Sequence, residues 1–220
     1  LYYETLFSQY RGAFCIQERH YSTSAIKNFI FKKYEGQEST TLQKNIIQMG
    51  NHGFYYDIDT AFSLGTESLK RANDYGARLG KIVPVGSAFM DHYCFKGKRE
   101  EENTKKNDPE PCYDIVCLGG NMGEYQNTYD TFFPDYYEHF QWLVDFSNEF
   151  PQFQVGVKHH QNNDPDPKEL EVLKKGPRVK RIDQKLCSYE TSFNSKVIVT
   201  FASTMGYEMF SSGKPVIFLD

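Results

Sequence analysis

Short continuous apolar runs alternate with segments of helical periodicity along the whole chain. Gly12 to Glu18 (GAFCIQE) predicts a buried strand. The following AIKNFIFKKY spaces its apolar residues along one helix face, with Ser22, Thr23 or Ser24 available as cap. Gly36 to Gln43 is polar and predicts a turn. Asn45 to Met49 predicts a strand running into Gly50-Asn51-His52-Gly53. Asp59 to Leu64 predicts a strand, Thr66 to Tyr75 a helix, and Lys81 to Val85 a strand ending at Gly86-Ser87.

A charged stretch without apolar residues, Lys96 to Pro111, interrupts the pattern and reads as a solvated linker. A second alternating series follows it. Strands are predicted at Tyr113 to Leu118, Gln154 to Lys158, Val179 to Ile182, Lys196 to Phe201 and Pro215 to Leu219. Helices are predicted at Tyr136 to Glu149, Lys168 to Lys174, Cys187 to Phe193 and Tyr207 to Ser212, the last stopped by Gly213. Strands that are apolar throughout are buried on both faces, which implies parallel sheets covered by helices on either side. The expected class is therefore α/β with two Rossmann-like lobes. A first lobe fills residues 1–95, the linker 96–111, and a second lobe 112–220.

The remaining composition narrows the picture without redirecting it. Hydrophobic residues are 39% and charged residues 25%, as in a soluble globular protein. Phe and Tyr, 18 and 16 of them, fill an interior or offer surfaces on which sugars stack. A net charge of −4 gives no reason to expect nucleic acid as partner. The five cysteines form no CxxC pair, so neither a zinc site nor a disulfide framework is expected, and a reducing cytoplasm fits. No run approaches the roughly 20 apolar residues that span a bilayer. The chain opens without Met and stops at Asp220 just after an apolar strand. That reads as a first lobe incomplete at its start and a nearly complete second lobe cut at its end.

In open parallel sheets, ligands bind beyond the carboxyl ends of the strands. The residues there are His52-Gly53, Gly86-Ser87, Gly119 to Gly123, Lys158-His159-His160, and Ser203-Thr204-Met205-Gly206 with Glu208 beyond. Val197 to Asp220 is the strongest piece. A strand leads into a Ser-Thr-x-Gly turn at a helix N-terminus, an arrangement that suits a phosphate. Glu208, placed in the first turn or so of that helix, can accept ribose hydroxyls. The plainer reading is that Ser203 and Thr204 only cap the helix and Glu208 only complements its dipole. Gly119 to Gly123 lacks the GxGxxG spacing, which rules against a nicotinamide cofactor. It is a phosphate-side loop or an ordinary turn.

Ser203-Thr204-x-Gly206-x-Glu208, a short helix, then Gly213-Lys214-Pro215-Val216-Ile217 resembles the donor-binding half of GT-B-type glycosyltransferases. His52-Gly53, Val85-Gly86-Ser87 with Asp91, and Lys158-His159-His160 resemble segments of bacterial surface-polymer transferases, including capsule Kdo transferases and CDP-glycerol glycerophosphotransferases. In the last segment Gln161 stands where proline is usual, so either histidine can be the one that faces the cleft. The resemblance runs from about His52 to Asp220.

It implies transfer of a sugar or polyol phosphate from a nucleotide-activated donor to a glycan or lipid-linked hydroxyl acceptor. The setting implied is surface-polysaccharide synthesis, in the cytoplasm or at the inner face of the plasma membrane, with any peripheral membrane contact made through missing parts. His52 is implied on the first-lobe side as a catalytic base or acceptor-side group. Lys158 and His160 are implied at the donor diphosphate, Ser203, Thr204 and Gly206 at the phosphate, and Glu208 at the ribose. Gly53, Gly86, Ser87, Gly120 and His159 are implied as neighbours of the site. No metal and no separate cofactor are implied. Two other readings stand beside it, a non-hydrolysing nucleotide-sugar 2-epimerase and a two-lobed binding protein without catalysis. The epimerase would need acidic catalytic residues in the first lobe, where Asp57, Asp59 and Glu67 are the candidates.

Overall fold

The computed structural model describes residues 2–17, 25–44, 57–67, 69–93, 113–119, 136–159, 166–201 and 203–219, with the backbone alone at 70, 71 and 75. The chain divides into two compact units, Leu1–Asp91 and His92–Asp220. Each carries a wholly parallel sheet, one of four strands and one of five, so the α/β class with two Rossmann-like lobes is the observed architecture. The predicted strand at Asn45 to Met49 and the linker at Lys96 to Pro111 lie outside the described residues. Among the described residues no helix is long and apolar enough to cross a membrane.

The first unit runs α1 (Tyr2–Gln9), β1 (Phe14–Gln17), α2 (Ala25–Lys33), β2 (Glu38–Leu42), β3 (Asp57–Ser63), a 3-10 helix (Lys70–Tyr75) and β4 (Arg78–Pro84). Its strands lie in sequence order, β1-β2-β3-β4. Ile58, Ala61, Leu69, Ala72, Ala77 and Leu79 form the core against the 3-10 helix. Phe7 of α1 and Phe31 of α2 meet at 5.4 Å between ring centroids.

Three expectations need correction here. β2 occupies ground read as a turn, because its buried residues are Ser39 and Thr41 rather than aliphatics. Those hydroxyls are satisfied inside the sheet. Ser39 Oγ donates to Asp59 Oδ2 at 2.9 Å and Thr41 Oγ1 to the Gln17 carbonyl at 3.3 Å, so a polar strand can be buried without penalty. The helix expected from Thr66 is the shorter 3-10 segment. It ends at Gly76, whose φ of 92° accommodates the turn into β4. α1 was not anticipated at all.

The second unit runs β5 (Tyr113–Leu118), α3 (Tyr136–Glu149), β6 (Val155–Lys158), α4 (Pro167–Lys174), β7 (Val179–Arg181), α5 (Ser188–Phe193), β8 (Ser195–Thr200), α6 (Thr204–Ser211) and β9 (Val216–Phe218). These match the predicted series closely, and the spatial order is β7-β6-β5-β8-β9. By order of appearance in this unit that is third, second, first, fourth, fifth, the doubly wound arrangement with its reversal between β5 and β8. Val157, Val199 and Cys117 on the strands pack with Phe140, Leu143 and Val144 of α3. Each such side chain contributes roughly 1.5–3 kcal/mol when fully buried. α4 starts on Asp166, whose carboxylate accepts from the Lys168 amide at 2.8 Å, with Pro167 as the first helical residue.

The difference that matters most is at α6. The helix begins at Thr204, not Tyr207, so the supposed Ser-Thr-x-Gly turn is its first turn. Ser203 is the cap and accepts from the Met205 amide at 3.3 Å. Gly206 sits inside the helix because a Cβ there would lie 2.5 Å from Thr200 Cγ2. Glycine is what lets α6 lie flat on β8. Gly213, at φ 86°, ends the segment as expected.

Candidate functional site

The carboxyl edge of the second sheet is fixed by strand register. Lys158 pairs with Leu118, Leu118 with Thr200, and Thr200 with Phe218, so these four form one row. The residues that follow the row, His159, Gly119, Phe201 and Leu219, mark the edge where ligands bind in such sheets. The reversal point falls between Gly119 and Phe201, and α6 starts immediately beyond Phe201. Sequence placed Gly119, Lys158 to His160 and Ser203 to Gly206 at strand ends. Their common edge at the reversal comes from the sheet order.

On the β6 side, His159 is turned inward. It is 2% exposed, and its Nε2 contacts Glu169 Oε1 of α4, a carboxylate that is itself fully buried. Tyr136 Oη also reaches Glu169, at 3.4 Å to Oε2. The imidazole lies against Gly119, where an added Cβ would be 2.9 Å from His159 Cδ2. Of the two adjacent histidines, His159 therefore serves the interior. His160 and Gly120 lie outside the described residues.

Lys158, expected at the diphosphate, is 2% exposed. Its ammonium donates to the His159 carbonyl at 3.2 Å and the Gln184 carbonyl at 3.0 Å. Burial holds its pKa below the ordinary lysine value, with Asp183 and Cys187 opposing that shift. The group thus ties the end of β6 to the segment after β7. Lys214 plays a similar part elsewhere, capping α5 through the Phe193 carbonyl at 2.5 Å.

On the β8 side, Ser203 and Thr204 open α6 and are half-buried. An α-helix presents its N–H groups and the positive end of its dipole at this point. Glu208 belongs to the second turn, not the first, since the helix starts at Thr204. It is 7% exposed, and Tyr189 Oη of α5 donates to its Oε2 at 2.7 Å. Tyr93 stacks on Tyr189 with centroids 4.7 Å apart and planes at 12°. Tyr189, Tyr93 and Glu169 were missed because none stands at a strand end or in a recognisable motif. Their partnerships arise only from packing.

Gly86, in the first unit, has φ 78°, and Ser87 Oγ accepts from the Met90 amide at 3.3 Å, capping a helical stretch over 88–93 whose last two residues belong to the second unit. His52 and Gly53 lie outside the described residues. Asp57 and Asp59 sit at the start of β3, away from its carboxyl end. Both are held by cations. Arg78 pairs with Asp57, and Lys32 Nζ lies 2.7 Å from Asp59 Oδ2. Among the described residues, no three His, Cys, Asp or Glu side chains gather as a metal site.

Neither a protein-family model nor a curated protein sequence matches the chain. Among solved structures, the chain is similar to UDP-GlcNAc 2-epimerase from Neisseria meningitidis bound to UDP-GlcNAc. The TM-score is 0.59 at 13% identity, over 98% of this chain and 62% of that one. The chain therefore spans less than two thirds of that enzyme's length, and at this identity the likeness concerns the fold. The fold is α/β and GT-B-like, the kind that the nucleotide-sugar enzyme also has.

Proposed function

We propose that the second unit binds a nucleotide-activated sugar, and that the protein transfers the sugar, or a related polyol phosphate, to a hydroxyl acceptor of a surface glycan or lipid-linked chain. One arrangement carries the reading. At the reversal point of a five-stranded parallel sheet, a helix opened by Ser203 and Thr204 stands above a buried, hydrogen-bonded carboxylate, Glu208. A diphosphate fits the helix N-terminus, where N–H groups and dipole favour an anion. Glu208 accepts ribose hydroxyls a turn deeper. Gly206 keeps α6 close to the sheet, so the two contacts hold a fixed separation. His160 is assigned to the diphosphate, while Lys158, buried with its ammonium on the His159 and Gln184 carbonyls, supports the end of β6 beneath it.

The reaction assigned is displacement by the acceptor oxygen at the anomeric carbon of the sugar, or at the phosphorus where a polyol phosphate is transferred. The acceptor hydroxyl loses its proton to His52, histidine being the side chain type suited to accept a proton near neutral pH. The new bond to the acceptor oxygen forms as the bond to the nucleotide breaks, and the negative charge left on the departing phosphate is stabilised by the α6 N-terminus and His160. Gly53, Gly86, Ser87 and Gly120 are assigned as further neighbours of the substrate.

A 2-epimerase is the second reading, favoured by the similarity to UDP-GlcNAc 2-epimerase. Against it, Asp57 and Asp59 are engaged in ion pairs at the opposite end of their strand.

Thermal melting against CMP, CDP, UDP, GDP and ADP tests the donor site. A ligand at a hundred times its Kd adds about 2.7 kcal/mol. For a chain of this size that raises Tm by about 5–11 °C. The response to one base should disappear in Glu208→Ala. Product analysis then separates the two reactions, because an epimerase converts donor alone while a transferase needs acceptor. A folded sample that answers to no nucleotide would remove the proposal.

A further inference from the structure

The carboxylate of the proposed donor site is held from outside its own helix. Glu208 is on α6, whereas the hydroxyl bonded to its Oε2 at 2.7 Å belongs to Tyr189 on α5. The Tyr189 ring is itself fixed. Tyr93 stacks on one face at 4.7 Å, and Tyr93 Oη accepts from Cys187 Sγ at 3.2 Å, two residues before Tyr189. Three side chains thus form a relay that ends on the carboxylate: Cys187 to the Tyr93 hydroxyl, ring on ring, and the Tyr189 hydroxyl to Glu208. Burial first, and then the Glu208 carboxylate, raise the Tyr189 pKa above the ordinary tyrosine value. The phenol therefore keeps its proton and stays a donor at every working pH.

We propose that Tyr189, braced by Tyr93, is the positioning residue that sets the Glu208 carboxylate for a ribose vicinal diol. The proposal rests on the assignment of Glu208 to ribose made above. A carboxylate offers two oxygens and about four lone-pair directions. A glutamate side chain turns about several bonds and would otherwise dilute that acceptor geometry among rotamers. A phenol anchored on Oε2 fixes the plane of the carboxylate. Two neighbouring hydroxyls can then be met by one rigid acceptor, with no ordering left for the moment of binding. The selectivity this creates is for nucleotides that carry both ribose hydroxyls.

Tyr189→Phe removes one oxygen and keeps the stacked ring. The test uses whichever of CMP, CDP, UDP, GDP and ADP stabilises the whole chain most, together with its 2′,3′-dideoxy counterpart. Kd is measured by titration calorimetry on the wild type, Tyr189→Phe and Tyr93→Leu. The wild type should prefer the ribo form. Tyr189→Phe should weaken the ribo form about tenfold, as loss of a hydrogen bond to a charged group does, and leave the dideoxy form unchanged. Tyr93→Leu, which leaves the Tyr189 hydroxyl in place and removes its brace, should show the same selective loss to a smaller extent. Equal weakening of both forms means a merely structural tyrosine, and no weakening of either means an idle one. Either result overturns the proposal. A wild type that binds both forms alike would instead overturn the ribose assignment beneath it, and one that binds no nucleotide would overturn the donor site as a whole.

Discussion

Gly206→Ala is the sharpest probe of how α6 is seated. The new Cβ would lie 2.5 Å from Thr200 Cγ2 and 3.2 Å from Phe218 Cε1. Carbon atoms rest at about 3.5–4.0 Å, so the first contact is short by about 1 Å or more. Thr200, the last residue of β8, is fully buried between β5 and β9 and has little room to retreat. Relief comes from lifting the start of α6 off β8, and such overpacking costs about 1–3 kcal/mol. Alanine returns up to about 1 kcal/mol through helix propensity, less so near a helix start. The net loss is then about 0.5–2 kcal/mol, a fall in Tm of about 1–8 °C. Thr200→Ser removes the methyl that collides. In a double-mutant cycle followed by thermal melting, the combined variant should lose about 1 kcal/mol or more less than the sum of the two single losses. Strict additivity, or a Gly206→Ala protein melting at or above the wild type, would refute the close-packing argument.

The first unit should weaken in acid through Asp59. Burial raises that carboxyl, but the Lys32 ammonium and the amide and hydroxyl of Ser39 outweigh it and bring the pKa from 3.8 down to about 2. A carboxyl depressed in the folded state stabilises fully above its unfolded value and loses that contribution as pH falls from about 4 to about 2. The difference, 3.8 less about 2, corresponds to about 2.4 kcal/mol at 1.36 kcal/mol per unit. Solvent contact reduces it to about 1 kcal/mol. Denaturant titrations across this range should show Asp59→Asn losing less stability than wild type, and equal losses would contradict the assignment. At the other sheet, Gly119→Ala would place a Cβ 2.9 Å from His159 Cδ2 and 3.3 Å from Glu169 Oε1. Displacing that buried pair should lower stability by about 1–3 kcal/mol, read as a shift in denaturant midpoint, and an unchanged midpoint would show that the ring is free to move.

The candidate site is a joint product of sequence and packing, and the two can be separated residue by residue. The five strands of the second unit were legible because each is a short apolar run, and burial on both faces demands that composition. Gly213 as terminator was legible too, since few other residues accept a positive φ. β2 was not, because Ser39 and Thr41 are buried by virtue of partners on other strands that no local pattern reveals. The start of α6 was misplaced for a related reason. Glycine at 206 looked like a turn residue, whereas a neighbouring strand excludes its side chain.

Sequence by itself determined the α/β class, the alternation of elements and the strand ends at which the candidate site residues of the second unit stand, because these follow from backbone periodicity and the burial of apolar runs. Only the tertiary structure decided that β5 and β8 adjoin, that His159 turns inward to Glu169, and that Tyr189 takes hold of Glu208 nineteen residues away. Those are contacts between elements, set by the order in which strands pack, and no spacing along a single chain encodes them locally.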